Sequence, residues 1–159
     1  MQVLQRNLVL LSERMDLIAD ANILFAAFIR NSTTRMVLLT RTPIPLKLYV
    51  PPFIFEEAYK YRKLLAKKTN LEENEIMALL FELISASNIE ILKEKDLFKF
   101  KDESEVVSPR KNDAPYFASA LYKNCGIWSN DRPLKGQKRI IIINTAELLA
   151  ILDGNENIT

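Results

Sequence analysis

The sequence predicts an α/β fold, a single domain in which a parallel β-sheet is flanked by helices. Segments with strand character alternate with segments of helical periodicity along the chain. Residues 140–143 form an apolar run without polar alternation, which is typical of a strand buried on both faces of a parallel sheet. With 159 residues, 48% of them hydrophobic, the chain is long enough for one domain with a core and too short for two comfortable ones.

Caps, prolines and periodicity predict the elements of the first part of the chain. Serine and threonine at 32–34 can cap a helix, and the prolines at 43 and 45 end it. The prolines at 51 and 52 stand in a first turn, where a helix tolerates proline. The predicted elements are a strand at 16–19, a turn at 20–22 that leads into helical periodicity, a helix ending at 40, a strand at 47–50 and a helix over 53–68.

The clearest helical periodicity begins after Asn70. Apolar side chains recur at intervals of three and four residues over 76–84, which places them on one face of a helix. Asn70, with Glu73 three positions later, resembles a capping box and predicts where this helix begins. A strand is predicted at 88–92, and a charged, irregular stretch at 93–109.

The last part of the chain is predicted to contain two helices separated by two strands. The first helix begins at Asp113, carries Pro115 in its first turn and runs to about Asn124, with Gly126 as the left-handed residue that ends it. The elements after it are strands at 127–129 and 139–143 and a final helix through Leu152, capped by Asn144 and Glu147.

Four acidic residues in distinctive contexts are the most informative chemical feature. Asp20 lies inside the apolar run 17–28, where an ionised carboxylate is costly unless it is paired, hydrogen-bonded or bound to a metal. Ligands of parallel sheets bind outside the carboxyl ends of the strands, and Asp20 and Asp131 each follow a predicted strand. Glu57 and Asp113 lie near the starts of predicted helices. We therefore expect the four carboxylates to converge at this edge of the sheet.

Taken singly, the acids also have purely structural interpretations. Asp113 can be the N-cap of its helix, and Asp131 can be a turn residue. Glu57 can be a solvated helix residue that pairs with Lys60 or Tyr61. For Asp20, a functional role is favoured even in isolation, because its neighbours are apolar.

The composition excludes several kinds of chemistry. The chain has no histidine and one cysteine, which excludes a disulfide framework, a Cys/His zinc site and histidine-dependent nucleophilic catalysis. Three glycines are too few for a phosphate-binding loop. No run of about 18 apolar residues predicts a membrane span, and the N-terminus has no cleavage-site pattern. We expect a cytoplasmic protein with no membrane contact. The net charge is +2, and the distribution of the charges over the surface matters more than their sum.

Each of the four acids lies in a short motif, and the motifs occur in a fixed order. Residues 18–22 contain D-x-N at the end of a strand, and 52–58 carry a glutamate on a helix. Residues 112–121 match D-x-P-Y-[VLF]-A-x-A-L, and 127–132 match [LI]-W-[TS]-x-D. Together they resemble the PIN-domain family of metal-dependent ribonucleases. The similarity extends over about 15–152, and the ordered set is more specific than any single motif.

The resemblance implies an endoribonuclease that requires Mg²⁺ or Mn²⁺. Such hard cations prefer oxygen ligands. Two metals roughly 3.5 to 4 Å apart can activate a water and stabilise the leaving oxygen at phosphorus. By this resemblance the catalytic, metal-binding acids are Asp20, Glu57, Asp113 and Asp131, and the supporting polar residues are Asn22 and Ser129.

Two positions need comment within this resemblance. Glu56 is a neighbouring candidate for the second acid, but Glu57 is favoured because it stands five residues after Pro52, as is common in the family. Many relatives have another aspartate three positions before the third acid, where this chain has Arg110. We therefore expect a second metal to bind more weakly or to be replaced by a phosphate contact.

Basic residues beside the motifs are expected to bind the phosphates of an RNA substrate. Such contacts supply affinity but little sequence information. Trp128 can stack on a base, although its apolar neighbours favour a place in the core. The candidate substrate-binding residues are Lys60, Arg110, Lys111 and Arg132.

The resemblance favours a toxin of the VapC type from a toxin–antitoxin pair, with RNA as substrate, a cognate antitoxin as partner and a homodimer as assembly. The alternatives are a housekeeping RNA-processing nuclease and a non-catalytic PIN module that binds RNA or protein. Retention of all four acids argues against a non-catalytic module. An aspartyl-phosphate phosphotransferase is disfavoured, because the second aspartate of its D-x-D signature would fall at Asn22.

The predicted domain spans 15–152. Residues 1–14 are an N-terminal extension, either a dimerisation element or the product of an upstream start site, because Met15 immediately precedes the first strand. Residues 153–159 are predicted to be a disordered tail.

Overall fold

A five-stranded parallel sheet forms the centre of the fold. The computed structural model describes residues 14–28, 32–39, 42 and 44–153. Apart from Arg14 and Asp153, the predicted extension 1–14 and tail 153–159 lie outside the described residues. The strands are β1 (Met15–Ala19), β2 (Leu46–Val50), β3 (Ile89–Ile91), β4 (Gly126–Trp128) and β5 (Ile142–Ile143), in the order β3-β2-β1-β4-β5.

Helices connect the strands and flank the sheet. The end predicted for the second helix, at Thr40 and Pro43, lies outside the described residues. No helix in the described part of the chain is long and apolar enough to span a membrane. The helices are α1 (Ala21–Ala27), α2 (Thr33–Leu39), α3 (Phe53–Thr69), α4 (Glu73–Ala86), α5 (Glu94–Leu97), α6 (Lys101–Val107), α7 (Ala114–Lys123) and α8 (Thr145–Leu152), with 3₁₀ turns at Phe98–Phe100, Lys111–Asp113 and Arg132–Gly136.

The strand order creates a topological switch point between β1 and β4. The chain runs outward from β1 through β2 to β3, and then returns to add β4 and β5 on the other side of β1. Ala19 pairs with Trp128, so β1 and β4 end at the same level. At such a switch point a crevice opens outside the carboxyl ends of the strands, and ligands bind there. The residues that follow β1 and β4 are therefore neighbours at this crevice.

The central strands are buried on both faces, as their apolar sequences predict. Successive side chains of a strand point to opposite faces of the sheet. Leu17 and Ile18 of β1 are both fully buried, and so are Ile127 and Trp128 of β4. The indole Nε1 of Trp128 donates a hydrogen bond to Thr145 Oγ1 at 3.0 Å. Trp128 is thus a core residue and is closed to stacking with a base.

The start of α4 differs from the predicted capping box. Glu72, not Asn70, is the N-cap, and its backbone N–H donates to Glu75 Oε2 at 2.7 Å in a capping box. Asn70 instead ends α3 in the left-handed conformation, with φ of 56°. Asparagine tolerates that conformation better than most residues, and acidic side chains are stabilised at a helix N-terminus.

The prediction of an irregular stretch at 93–109 is wrong. This segment contains α5, a 3₁₀ turn and α6, and both short helices pack against α7. Within it, Leu97 and Ser104 are the buried residues. The apolar periodicity is therefore too weak to predict the helices, and packing against α7 stabilises them.

Two boundaries near β4 and β5 also differ from prediction. Asn124, with φ of 50°, is the left-handed residue that ends α7, whereas Gly126 is the first residue of β4. A Cβ at Gly126 would lie 2.9 Å from the carbonyl oxygen of Ile141, so glycine permits a close approach of the two strands. The strand predicted at 139–143 is shorter, because the side chain of Gln137 forms hydrogen bonds with both backbone groups of Ile140.

Candidate active site

Asp20 is held at the carboxyl end of β1 by two hydrogen bonds. It is 5% exposed and is the N-cap of α1. Its Oδ1 accepts from the backbone N–H of Ala21 at 2.8 Å, and its Oδ2 accepts from Ser129 Oγ at 2.6 Å. Burial, with smaller contributions from Asp113 and Asp131, raises the pKa of Asp20 to about 6, although both hydrogen bonds favour the charged form.

Ser129 links the ends of β1 and β4. Besides donating to Asp20, its hydroxyl accepts from Asn22 Nδ2 at 3.2 Å and from the backbone N–H of Asp131 at 3.1 Å. One donor and two acceptor sites are the full capacity of a serine hydroxyl. The structure thus places Ser129 directly against Asp20 and Asp131, and Asn22 against Ser129.

Glu57 reaches the same region from the second turn of α3. Its Oε1 accepts a hydrogen bond from the hydroxyl of Tyr116 in α7. Burial is the main reason that the pKa of Glu57 rises to about 7, and the charges of Asp20 and Asp113 add to the shift. The bond from Tyr116 and the charge of Lys60 act in the opposite direction.

Tyr116 is a site residue to which the sequence analysis gave no role. It is 1% exposed, and a buried tyrosine hydroxyl needs a hydrogen-bond partner. Its position three residues after Asp113, on the same helix face, indicates that it lies close to that acid. Burial and the adjacent charge of Glu57 raise the pKa of Tyr116 well above its usual value, so the hydroxyl remains a donor. Glu56, by contrast, is exposed.

Arg110 bridges Asp113 and Asp131. Its Nε donates to Asp113 Oδ2 at 2.7 Å, and its Nη2 donates to Asp131 Oδ2. Asp113 precedes α7 and Asp131 precedes the 3₁₀ turn Arg132–Gly136, but neither side chain caps its own helix. The helix-cap interpretation of Asp113 therefore has no hydrogen bond to support it.

Hydrogen bonds through Ser129 and Arg110 connect Asp20, Asp131 and Asp113, and the charges of Asp20 and Asp113 act on Glu57. The region that these four acids share at the switch point is called the acidic crevice below. Asp113 raises the pKa of both Asp20 and Glu57, and Asp131 raises that of Asp20, which shows that the charges are close enough to repel. Their side chains do not form a closed ligand cage. Among the described residues, no three acidic or cysteine side chains stand in positions that would hold a metal ion.

Comparison with known proteins identifies the family. The model of the family described as PIN domain matches residues 18–146, a range that contains all four acids. The chain belongs to the PIN-domain family. This finding confirms the resemblance and, with the observed parallel sheet, the predicted fold class.

One solved structure similar to this PIN domain is the crystal structure of VapBC2 from Rickettsia felis bound to a DNA fragment from their promoter. The TM-score is 0.57 at 17% sequence identity, over 82% of this chain and 98% of that chain. At that identity the likeness is evidence of a shared fold. The search of curated proteins gave no match.

The donor atoms of this PIN domain suit a hard divalent cation. Carboxylate and amide oxygens are the ligands that Mg²⁺ and Mn²⁺ prefer. The Oδ1 of Asn22 is buried and has no hydrogen-bond partner among the described residues. Buried carbonyl oxygens are rarely left unpaired, so this atom is available to a metal or to its bound water. The ligand types therefore fit a metal, although the side chains would have to move closer to surround it.

The predicted substrate-binding residues differ in their surroundings. Lys60 is exposed one turn beyond Glu57, with its Nζ 5.3 Å from the ring centroid of Tyr61. Lys111 and Arg132 are exposed beside the third and fourth acids. The side chain of Arg110 is half-exposed and engages those acids directly.

Proposed function

We propose that this PIN domain is a metal-dependent endoribonuclease that hydrolyses phosphodiester bonds of single-stranded RNA. The observation that carries the proposal is the gathering of Asp20, Glu57, Asp113 and Asp131 at the switch point of the sheet, from four separate parts of the chain. Membership of the PIN-domain family supports a nuclease-like activity. Phosphodiester hydrolysis needs positive charge at the phosphate and an activated water, and an acidic cluster can hold the metal that provides both.

The four acids would hold Mg²⁺ or Mn²⁺, which lowers the pKa of bound water and stabilises charge at phosphorus. Ser129 and the N–H of Ala21 keep the Asp20 carboxylate fixed as a ligand. Tyr116 orients Glu57. Burial and the neighbouring acids raise the pKa of Glu57 to about 7 in the metal-free protein, and a bound metal would hold its carboxylate in the charged form.

Exposed basic and aromatic groups support a single-stranded substrate. Lys60, Lys111 and Arg132 would bind phosphates on the rim of the acidic crevice. Tyr61 is 38% exposed, and its ring packs edge-on against Phe25 with 6.4 Å between centroids. An unpaired base can stack on the face of such a ring, whereas a base in a duplex would first have to leave its own stack.

The test is cleavage of labelled single-stranded RNA by the purified chain. Activity should appear with Mn²⁺ or Mg²⁺, vanish in EDTA and fall at least about 100-fold in Asp113→Asn. Asp102→Asn, which changes an exposed aspartate of α6, is the matched control and should retain activity. Full activity in EDTA, or in Asp113→Asn, would disprove the metal mechanism.

A narrower proposal is that the protein acts as a VapC-like toxin in the cytoplasm. The structural likeness to a VapBC2 complex supports this role and a cognate antitoxin as partner. A homodimer is part of the proposal. A housekeeping RNA-processing nuclease is the alternative with the same chemistry. A non-catalytic module that binds RNA or protein is disfavoured, because it would have no need for all four acids.

A further inference from the structure

Arg110 places a positive charge between two of the four acids. Its guanidinium donates to Asp113 through Nε and to Asp131 through Nη2, and these two contacts raise the pKa of Arg110 further above its usual value. The other ion pairs of the described residues join side chains outside the acidic crevice, for example Arg139 with Glu103. Within the described part of the chain, Arg110 is thus the basic residue that forms ion pairs with the crevice.

The backbone of Arg110 is anchored, which fixes the origin of its side chain. Its carbonyl oxygen accepts from the backbone N–H of Asp113 at 3.1 Å and from the hydroxyl of Ser108. Arg110 also precedes the 3₁₀ turn Lys111–Asp113. The planar guanidinium can therefore span both carboxylates with little loss of side-chain freedom, a geometry that a lysine ammonium does not reproduce.

We propose that Arg110 acts as an internal cation that competes with divalent metal for Asp113 and Asp131. A metal that takes Oδ2 of either acid competes with the guanidinium for that atom, and a metal bound through Oδ1 is still repelled by the guanidinium charge. In the metal-free protein the same contacts reduce repulsion among the acids. This inference rests on the proposed metal site and adds to it a residue that sets its affinity.

The competing explanation is that Arg110 positions the two acids as ligands in the metal-bound state. The two explanations predict opposite effects of removing the guanidinium. Loss of a competitor strengthens metal binding, whereas loss of a positioning residue weakens it. Metal affinity, measured without any catalytic assay, therefore distinguishes them.

The experiment is calorimetric titration of Mn²⁺ into the full chain and into Arg110→Gln. We expect the Kd of Arg110→Gln to be about tenfold lower, equivalent to about 1.4 kcal/mol. Arg139→Gln, which removes a surface ion pair with Glu103, is the matched control and should bind as the parent does. In EDTA, Arg110→Gln should melt at a lower temperature than the parent, and saturating Mn²⁺ should reduce that difference.

An equal or higher Kd for Arg110→Gln would overturn the inference while leaving the proposed metal site intact. If neither the parent nor Arg110→Gln binds Mn²⁺, the metal-site proposal and this inference both fail. Should Arg110→Gln not fold, Arg110→Lys keeps the charge but loses the two-carboxylate bridge. Its Kd should be lower than that of the parent, and a Kd equal to or above the parent's would overturn the inference.

Discussion

The buried hydroxyl of Tyr116 donates a hydrogen bond to Oε1 of Glu57 and so joins α7 to α3 at the acidic crevice. The bond connects residues 59 positions apart. It favours the charged form of Glu57, against a burial effect that raises the pKa of that carboxyl to about 7. The orientation and the protonation of Glu57 thus both depend on a residue from another helix.

Tyr116→Phe should shift the pH dependence of RNA cleavage. The substitution removes the hydroxyl with little change in volume, so the pKa of Glu57 should rise and the acidic limb of the rate profile should move to higher pH. Stability should fall by about 1 kcal/mol, the usual contribution of one hydrogen bond. Tyr122→Phe, at a more exposed tyrosine of the same helix, is the control. Superimposable profiles for Tyr116→Phe and the parent would contradict a role in tuning Glu57.

The neighbours Glu57 and Glu56 provide a matched pair of substitutions. Glu57→Gln should reduce the initial rate of RNA cleavage by roughly 100-fold or more, a loss typical of a removed general base or metal ligand. Glu56→Gln should stay within about twofold of the parent, since surface changes away from a site have small effects. Inactive Glu56→Gln with active Glu57→Gln would show that the assignment of the second acid is off by one residue.

The metal-free protein should lose stability as the pH rises from about 4 to about 7. Burial raises the pKa of Asp20 to about 6 and that of Glu57 to about 7, above their unfolded values of about 3.9 and 4.3. In this window the folded state binds more protons than the unfolded state, so the free energy of unfolding falls with increasing pH. For Asp20 alone the loss is on the order of 3 kcal/mol.

Urea unfolding in EDTA at pH 5 and pH 8 measures this effect. The parent should be less stable at pH 8, and Asp20→Asn, which cannot ionise, should show a smaller difference between the two conditions. Asp102→Asn serves as a control for removal of an exposed charge. An identical pH difference in the parent and in Asp20→Asn would show that the Asp20 carboxyl is not shifted as described.

Expression of the chain alone in a bacterial host should arrest growth if the toxin proposal is correct. Asp113→Asn should be harmless at equal protein levels, because the growth arrest would require RNA cleavage. Plating efficiency after induction, with immunoblots to match protein amounts, provides the measurement. Normal growth of cells that contain active, RNA-cleaving protein would favour the housekeeping nuclease instead.

Much of the fold follows from local features of the sequence. The burial of β1 and β4 is visible in their apolar runs, and the prolines at 51 and 52 set the start of α3. Asn144 caps α8 as predicted, because its Oδ1 accepts from the backbone N–H of Glu147 at 2.8 Å. The closeness of Asp20 and Asp131 also follows, since residues after parallel strands share one edge. Each of these depends on strand direction, helix periodicity or a cap within a few residues.

The remaining features could not be predicted from the local sequence. In each case several local structures were possible, and contacts with distant parts of the chain decided between them. Both Asn70 and Glu72 can cap a helix, and only the path of the chain between α3 and α4 selected Glu72. Packing on α7 made helices of the charged segment 93–109. The charge of Arg110 was visible in the sequence, but its contacts with Asp113 and Asp131 were not, since Asp131 lies 21 residues away. The sequence by itself determined which acids gather, and the tertiary structure decided which neighbours orient them and neutralise their charge.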